Sequence, residues 1–288
     1  MRHGLLNFST LESREDLFNK NGISIFLQDC VEGMRTNLKD SEIDVIVTSP
    51  PYNLGIEYSI YNDRISRKEY LAWTKEWVRE VRRVLSDEGS FFLNIGGKPS
   101  DPWGPFEVMN IIRECFCLQN TIHWIKAISI KKNGSAESYG HYKPLNSDRF
   151  LNDCHEYVFH LTKKCNVKID RKAIGVPYQD KSNIKRWKLA KDDMRCRGNT
   201  WFIPYKTIQS SAEERPHPAT FPVELAEMCF KLHGLDKIKK AMDPFLGIGH
   251  AALAAHRLNL KFIGFEIDEI YASIACKNIE EENARISY

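Results

Sequence analysis

Residues 239–266 constrain the fold of this chain more than any other stretch. They read KKAMDPFLGIGHAALAAHRLNLKFIGFE. An apolar run, Lys239–Met242, leads into a turn with two glycines. An alanine-rich helical stretch follows, His250–Leu258, and then a second apolar run, Lys261–Phe265. This is a strand–turn–helix–strand pattern. A helical crossover of this kind joins parallel strands of one sheet. Gly247 and Gly249 let the backbone turn tightly and come close to a ligand. The following helix offers unpaired N–H groups at its start. Glu266 ends the second strand about 20 residues past the loop, where a carboxylate can accept both hydroxyls of a ribose.

The same loop narrows the ligand. The third glycine of the dinucleotide fingerprint is missing, and no Walker sequence G-x-x-x-x-G-K-[ST] occurs. Phosphate cradling is therefore disfavoured. A ligand with a ribose and no pyrophosphate fits better, and S-adenosylmethionine is such a ligand.

Five further apolar segments read as buried parallel strands: Ser24–Leu27, Asp44–Val47, Ser90–Ile95, Thr121–Ile130 and Glu156–Leu161. Helical patterns at Ser66–Leu85, Pro105–Cys115, Pro222–His233 and Ile270–Ala284 lie between or beside them. The alternation predicts an α/β fold, a mostly parallel seven-stranded sheet with helices on both faces. A chain of 288 residues can bury the core of one large domain. No stretch approaches the ~20 apolar residues of a membrane helix. The start, MRHGLLNFSTLESRED, is too acidic and interrupted for a signal peptide, so a cytoplasmic protein without a membrane partner is expected. The eight cysteines contain no C-x-x-C pair and read as reduced, mostly buried thiols, with no metal site.

Residues 48–53 read TSPPYN and end one of the predicted strands. Proline cannot donate to a sheet ladder, but a strand terminus no longer needs that bond. A Pro-Pro step is stiff and extended, so the loop is preorganised. The Ser49 hydroxyl and the Pro50 carbonyl can accept hydrogen bonds from an exocyclic amine. Tyr52 can stack on a flat ring. An aryl amine is a poor nucleophile because its lone pair is delocalised. Two acceptors localise that pair and aim it at an electrophilic methyl group.

Charge is the remaining signal. A net charge of +3 does not make the molecule a polycation, so a nucleic-acid surface must be local. From Lys163 to Arg197 there are twelve Lys/Arg against four Asp/Glu, with Tyr178 and Trp187 interleaved. Lys181, Lys185, Arg186, Trp187, Lys188, Arg195 and Arg197 are the candidate nucleic-acid contacts.

Together these motifs resemble the beta-type amino-methyltransferases of the N4-cytosine/N6-adenine DNA methyltransferase family. TSPPY is similar to the family's catalytic motif, and DPFLGIG to its S-adenosylmethionine loop. The catalytic loop precedes the cofactor loop, which is the circularly permuted, beta-type motif order. The resemblance implies a Rossmann-like methyltransferase fold. It implies catalytic roles for Ser49, Pro50, Pro51 and Tyr52. It implies cofactor contacts from Asp29, Asp243, Pro244, Phe245, Gly247, Gly249 and Glu266. His217, Pro218 and Phe221, from the block RPHPATFPVELAEMCFKLHG, would face the cofactor by resemblance only. The implied organisation is a catalytic half (1–162), a small basic insert for target recognition (163–197) and a cofactor half completing the same domain (198–288).

In the family, Ser at the first catalytic position goes with N4-cytosine, and Asp or Asn with N6-adenine. The expected activity is therefore N4 methylation of cytosine in DNA by base flipping and in-line attack. N6-adenine methylation and an N4-cytosine enzyme acting on structured RNA such as rRNA are the alternatives. A homodimer and a restriction endonuclease partner are compatible with the family. C5 methylation is excluded, because it needs a nucleophilic thiolate from a Pro-Cys dipeptide and no proline here precedes a cysteine. The sequence names no base for the surplus amine proton, and no role for His250.

Overall fold

The computed structural model describes residues 16–56, 60–140, 145–186, 192–204 and 220–286. In chain order the strands are β1 (Phe18–Lys20), β2 (Ile23–Leu27), β3 (Ile43–Thr48), β4 (Leu85–Ile95), β5 (Cys117–Ile125), β6 (Ala127–Lys132), β7 (Ser135–Gly140), β8 (His155–Thr162), β9 (Thr200–Phe202), β10 (Ala241–Asp243) and β11 (Phe262–Glu266). The helices are α1 (Cys30–Asn37), α2 (Arg67–Val84), α3 (Gly104–Ile112), α4 (Ser182–Arg186), α5 (Val223–His233), α6 (His250–Arg257) and α7 (Glu269–Ile286).

One mixed sheet runs in the order β1-β2-β11-β10-β3-β4-β8-β5-β9. Its centre, β2-β11-β10-β3-β4, is parallel throughout. The seven expected strands form the interior, and the three-residue strands β1 and β9 extend the two edges. Helices α1, α2 and α3 pack over one face, and α5, α6 and α7 over the other. Each face has its own apolar core, one including Trp77, Phe91 and Phe265, the other Phe92, Phe230 and Phe262. Local sequence explains much of this. Helix α2 opens with a capping box, Ser66 accepting from the Glu69 amide while Glu69 reaches back to the Ser66 amide. Helix α5 stops at Gly234, whose φ of 108° an L side chain rarely adopts. Among the described residues no helix is long and apolar enough to cross a membrane.

Three expectations need correction. The segment Glu156–Leu161 was expected to be parallel, but β8 runs antiparallel to both neighbours, β4 and β5. An apolar run carries no direction, and the chain here returns to the sheet without a helical crossover. The reversal brings the first residues of β8 to the edge where β3 and β4 end. The predicted strand Thr121–Ile130 divides at Lys126: β5 stays in the main sheet, and β6 turns out to pair with β7 in a separate hairpin. Cys117 and Cys165 are joined by a disulfide between the start of β5 and the turn after β8, so this pair is not reduced.

Candidate active site

Strands β3 and β10 lie side by side, with Val45 opposite Ala241 and Ile46 opposite Met242. The TSPPYN loop and the DPFLGIG loop therefore leave the sheet as neighbours. A direct bond ties them: Thr48 Oγ1 donates to Asp243 Oδ1 at 2.5 Å. The Phe245 amide donates to the same oxygen at 2.9 Å. Asp243 is buried, and burial pushes its pKa up to about 7. Its carboxyl shapes both loops from beneath and does not line the cavity above them.

That cavity measures about 950 Å³ and opens at the carboxyl edge of the parallel strands. Asp29, Phe221, Pro244, Phe245, Gly247 and Glu266 line one part of it, and Ser49, Pro50, Pro51 and Tyr52 another. Glu266 sits at the end of β11. Its Oε2 accepts from the Gly247 amide at 2.7 Å, and its Oε1 from the Asp268 amide at 2.9 Å. Burial raises its pKa. Gly247 and Gly249 both have positive φ, 54° and 85°. Gly249 serves packing: a Cβ there would come within 2.9 Å of Ala275 on α7. Asp29 caps α1, accepting from the Val31 and Glu32 amides at 2.9 and 3.1 Å. His250, which the sequence left without a role, bonds through Nδ1 to the Phe221 carbonyl at 2.6 Å. It fastens the start of α6 to the Phe221 segment, and burial lowers its pKa. A strand-end carboxylate, a glycine backbone and apolar walls suit a ligand with a ribose and a flat base. His217 and Pro218 lie outside the described residues.

The TSPPYN loop is held from several sides. The Tyr70 hydroxyl, reaching from α2, donates to the Pro51 carbonyl at 3.0 Å. Asp63, only 1% exposed, receives four successive backbone amides, those of Asn53, Leu54, Gly55 and Ile56, at 2.8–3.1 Å. Asn53 adopts φ 57°, and its side chain donates to the Ile65 carbonyl at 3.0 Å. Ser49 Oγ and the Tyr52 hydroxyl are 2.7 Å apart. Tyr52 in turn reaches the Asn94 carbonyl at 3.2 Å and Glu156 Oε2 at 3.1 Å. Glu156 also accepts from Asn94 Nδ2 and from Lys126 Nζ, each at 3.0 Å. Sequence reasoning missed Asp63, Tyr70, Lys126 and Glu156. The one available signal was a carboxylate, Glu156, at the start of the predicted strand Glu156–Leu161.

The basic segment is partly self-neutralised. Lys172 pairs with Asp192, Lys181 with Asp193, and Lys163 and Lys164 with Asp87. Lys185 and Arg186 are exposed on the short α4, and Arg195 is exposed further along the same segment. Arg197 turns inward, its Nε donating to the Ile174 carbonyl at 2.8 Å. Trp187 and Lys188 lie outside the described residues.

An open α/β sheet with both loops at one carboxyl edge is the fold of the S-adenosylmethionine-dependent methyltransferases. The solved structure of PvuII DNA methyltransferase (cytosine-N4-specific) superimposes with a TM-score of 0.67 at 18% identity, covering 95% of each chain. M1.HpyAVI in complex with SAM gives 0.54 at 20% identity, over 89% of this chain and 99% of that one. By sequence, the type II methyltransferase M.BglII of Bacillus subtilis is 28% identical over 86% of this chain and 67% of its own length. M.SmaI of Serratia marcescens is 29% identical over 83% of this chain and 85% of its own. The family model described as DNA methylase, covering N6 and N4 amino-methyltransferases, matches residues 43–277. The chain belongs to this DNA methylase family.

Asp63 supplies a test of the loop's scaffolding. Removing a buried carboxylate that holds several amides exposes each of them to solvent. Asp63→Ala is expected to speed hydrogen exchange of residues 53–56 by about tenfold or more while β3 stays protected. Unchanged exchange in the loop would contradict the role given to Asp63.

Proposed function

We propose that the protein methylates the exocyclic N4 amine of cytosine in DNA, with S-adenosylmethionine as methyl donor. The observation that carries this reading is Ser49: a hydroxyl, not a carboxylate or amide, stands at the head of the Pro-Pro-Tyr loop and faces the same cavity as Glu266. Glu266 would hold the cofactor's ribose hydroxyls, the Gly247 backbone would approach it closely, and Phe221, Pro244 and Phe245 would pack against it. When bound, the cofactor supplies an electrophilic methyl group. N6-adenine is the second reading, because the family includes both amines.

In the proposed mechanism the target base leaves the duplex stack and enters the cavity beside Tyr52. Unstacking costs a few kcal/mol, offset by stacking and phosphate contacts. Ser49 Oγ and the Pro50 carbonyl accept the two amine hydrogens. The Pro51 carbonyl is already engaged by Tyr70, so the prolines and Tyr70 together fix where those acceptors point. This is positioning and electrostatic stabilisation, with no covalent intermediate on the protein. Residues 163–197 act as the target-recognition region between a catalytic half (1–162) and a cofactor half (198–288) of one domain. The type II designation of the relatives supports a cognate restriction endonuclease as a partner in the same system.

Ser49→Ala separates binding from chemistry. Calorimetric affinity for S-adenosylmethionine is expected to stay within about twofold, while methyl transfer to duplex DNA falls about 100-fold. Loss of cofactor binding, or an unchanged rate, would contradict the role of Ser49. The basic segment has its own test. Replacing Lys185, Arg186 and Arg195 by Gln is expected to weaken DNA binding on all sequences and to lower the salt slope by about 1 per residue. An unchanged slope would make the segment a solvated surface.

A further inference from the structure

Glu156 enters the cavity from a strand that the catalytic motif does not include. It is the second residue of β8, and its side chain is only 14% exposed. The space for it is made by Gly96: a Cβ at that position would lie 2.9 Å from Glu156 Cγ and 3.4 Å from Tyr52 Cε2. The glycine thus lets two side chains from different segments meet just beyond the end of β4.

The hydrogen bonds among these groups have a direction. Lys126 Nζ and Asn94 Nδ2 can only donate, and both donate to Glu156. Tyr52 has one hydroxyl proton, and Glu156 Oε2 and the Asn94 carbonyl both stand as acceptors for it. With that proton committed, the 2.7 Å contact between Tyr52 and Ser49 must use the serine proton, so Ser49 donates to the Tyr52 oxygen. Ser49 then has only lone pairs to offer a third group. A ligand group meeting Ser49 is received as a hydrogen-bond donor, which is what an exocyclic amine is.

We propose that Ser49, Tyr52 and Glu156 form a proton relay that carries the surplus amine proton away from the methylated base, with Glu156 as its terminal acceptor and positioning residue. The inference rests on the methyl-transfer reading above. As the amine nitrogen gains its methyl group it becomes cationic and must lose one hydrogen. The N–H bond to Ser49 breaks and that proton joins the serine oxygen. The serine's own proton passes to the Tyr52 oxygen, and the tyrosine's proton passes to Glu156 Oε2. Ser49 and Tyr52 each end with one proton, and the carboxylate becomes a carboxylic acid. Solvent at the cavity mouth resets it. Lys126, 3.0 Å from the other carboxylate oxygen, keeps Glu156 oriented toward Tyr52.

The test uses the full-length protein with duplex DNA in single-turnover reactions. Glu156→Gln keeps the shape and removes the acceptor, and Tyr52→Phe cuts the relay in the middle. Each is expected to lower the transfer rate about 100-fold while the dissociation constants for S-adenosylmethionine and DNA stay within about threefold. The double variant should fall no further than the slower single variant, because both changes break one chain. Glu156→Asp should recover part of the rate. The relay is overturned if Glu156→Gln keeps its rate within about threefold of the wild type, or if the two losses multiply in the double variant. Should Glu156→Gln fail to fold, Tyr52→Phe alone decides, with a near-normal rate overturning the relay. A wild-type protein that methylates no DNA would instead overturn the functional reading beneath it.

Discussion

The site depends on one adjacency, that of β3 and β10. Thr48 and Asp243 are 195 residues apart in sequence, yet one hydrogen bond joins them at the foot of the cavity. Parallel pairing sends both strands out of the same edge, so the loop proposed to accept an amine and the loop that suits a nucleoside rise together. Neither loop would suffice alone. A glycine turn beside a strand-end carboxylate can bind a ribose, and a Pro-Pro-Tyr loop can hold an amine. Methyl transfer needs the two within reach of each other. Asp243 makes that reach rigid, and its raised pKa reflects the burial this demands.

A second layer of carboxylates explains why the loops hold their shape. Asp63 gathers four amides of the segment after Asn53, and Asp29 caps α1 beneath the cavity. Glu266 takes the Gly247 and Asp268 amides at the end of β11. Each carboxylate satisfies backbone donors that a strand or helix terminus leaves open. Glu156 differs: among the described residues its side-chain partners are Tyr52, Asn94 and Lys126, and it lines the cavity together with Ser49 and Tyr52. Its presence there follows from the reversal of β8, which carries the start of that strand to the working edge of the sheet.

Much of this architecture was legible in the sequence. The seven interior strands, five of the helices and both loops follow from apolar runs, glycine turns and capping residues. What escaped was what only pairing decides. The run Glu156–Leu161 has the same composition in either direction, and a parallel reading would leave Glu156 at the opposite edge of the sheet. Lys126 lies inside the single run Thr121–Ile130 and is the point where the chain leaves the main sheet. Asp63 and Tyr70 lie in stretches with no motif, and their roles come from the backbone groups they meet. Helix α1 is short, and its buried face fits only because Gly33 leaves room for the Phe265 ring. His250 carried no signal, because a bond to a carbonyl 29 residues away has no local pattern.

The central claim is a specific transfer: a methyl group from S-adenosylmethionine to the N4 amine of cytosine in DNA. Nucleoside mass spectrometry tests it most directly, after incubation of the protein with isotopically labelled cofactor and either unmethylated genomic DNA or rRNA. The account predicts labelled N4-methylcytosine from the DNA and no label in the RNA. Labelled N6-methyladenine as the sole product would contradict the assignment of Ser49 to cytosine, and label confined to RNA would contradict the choice of polymer.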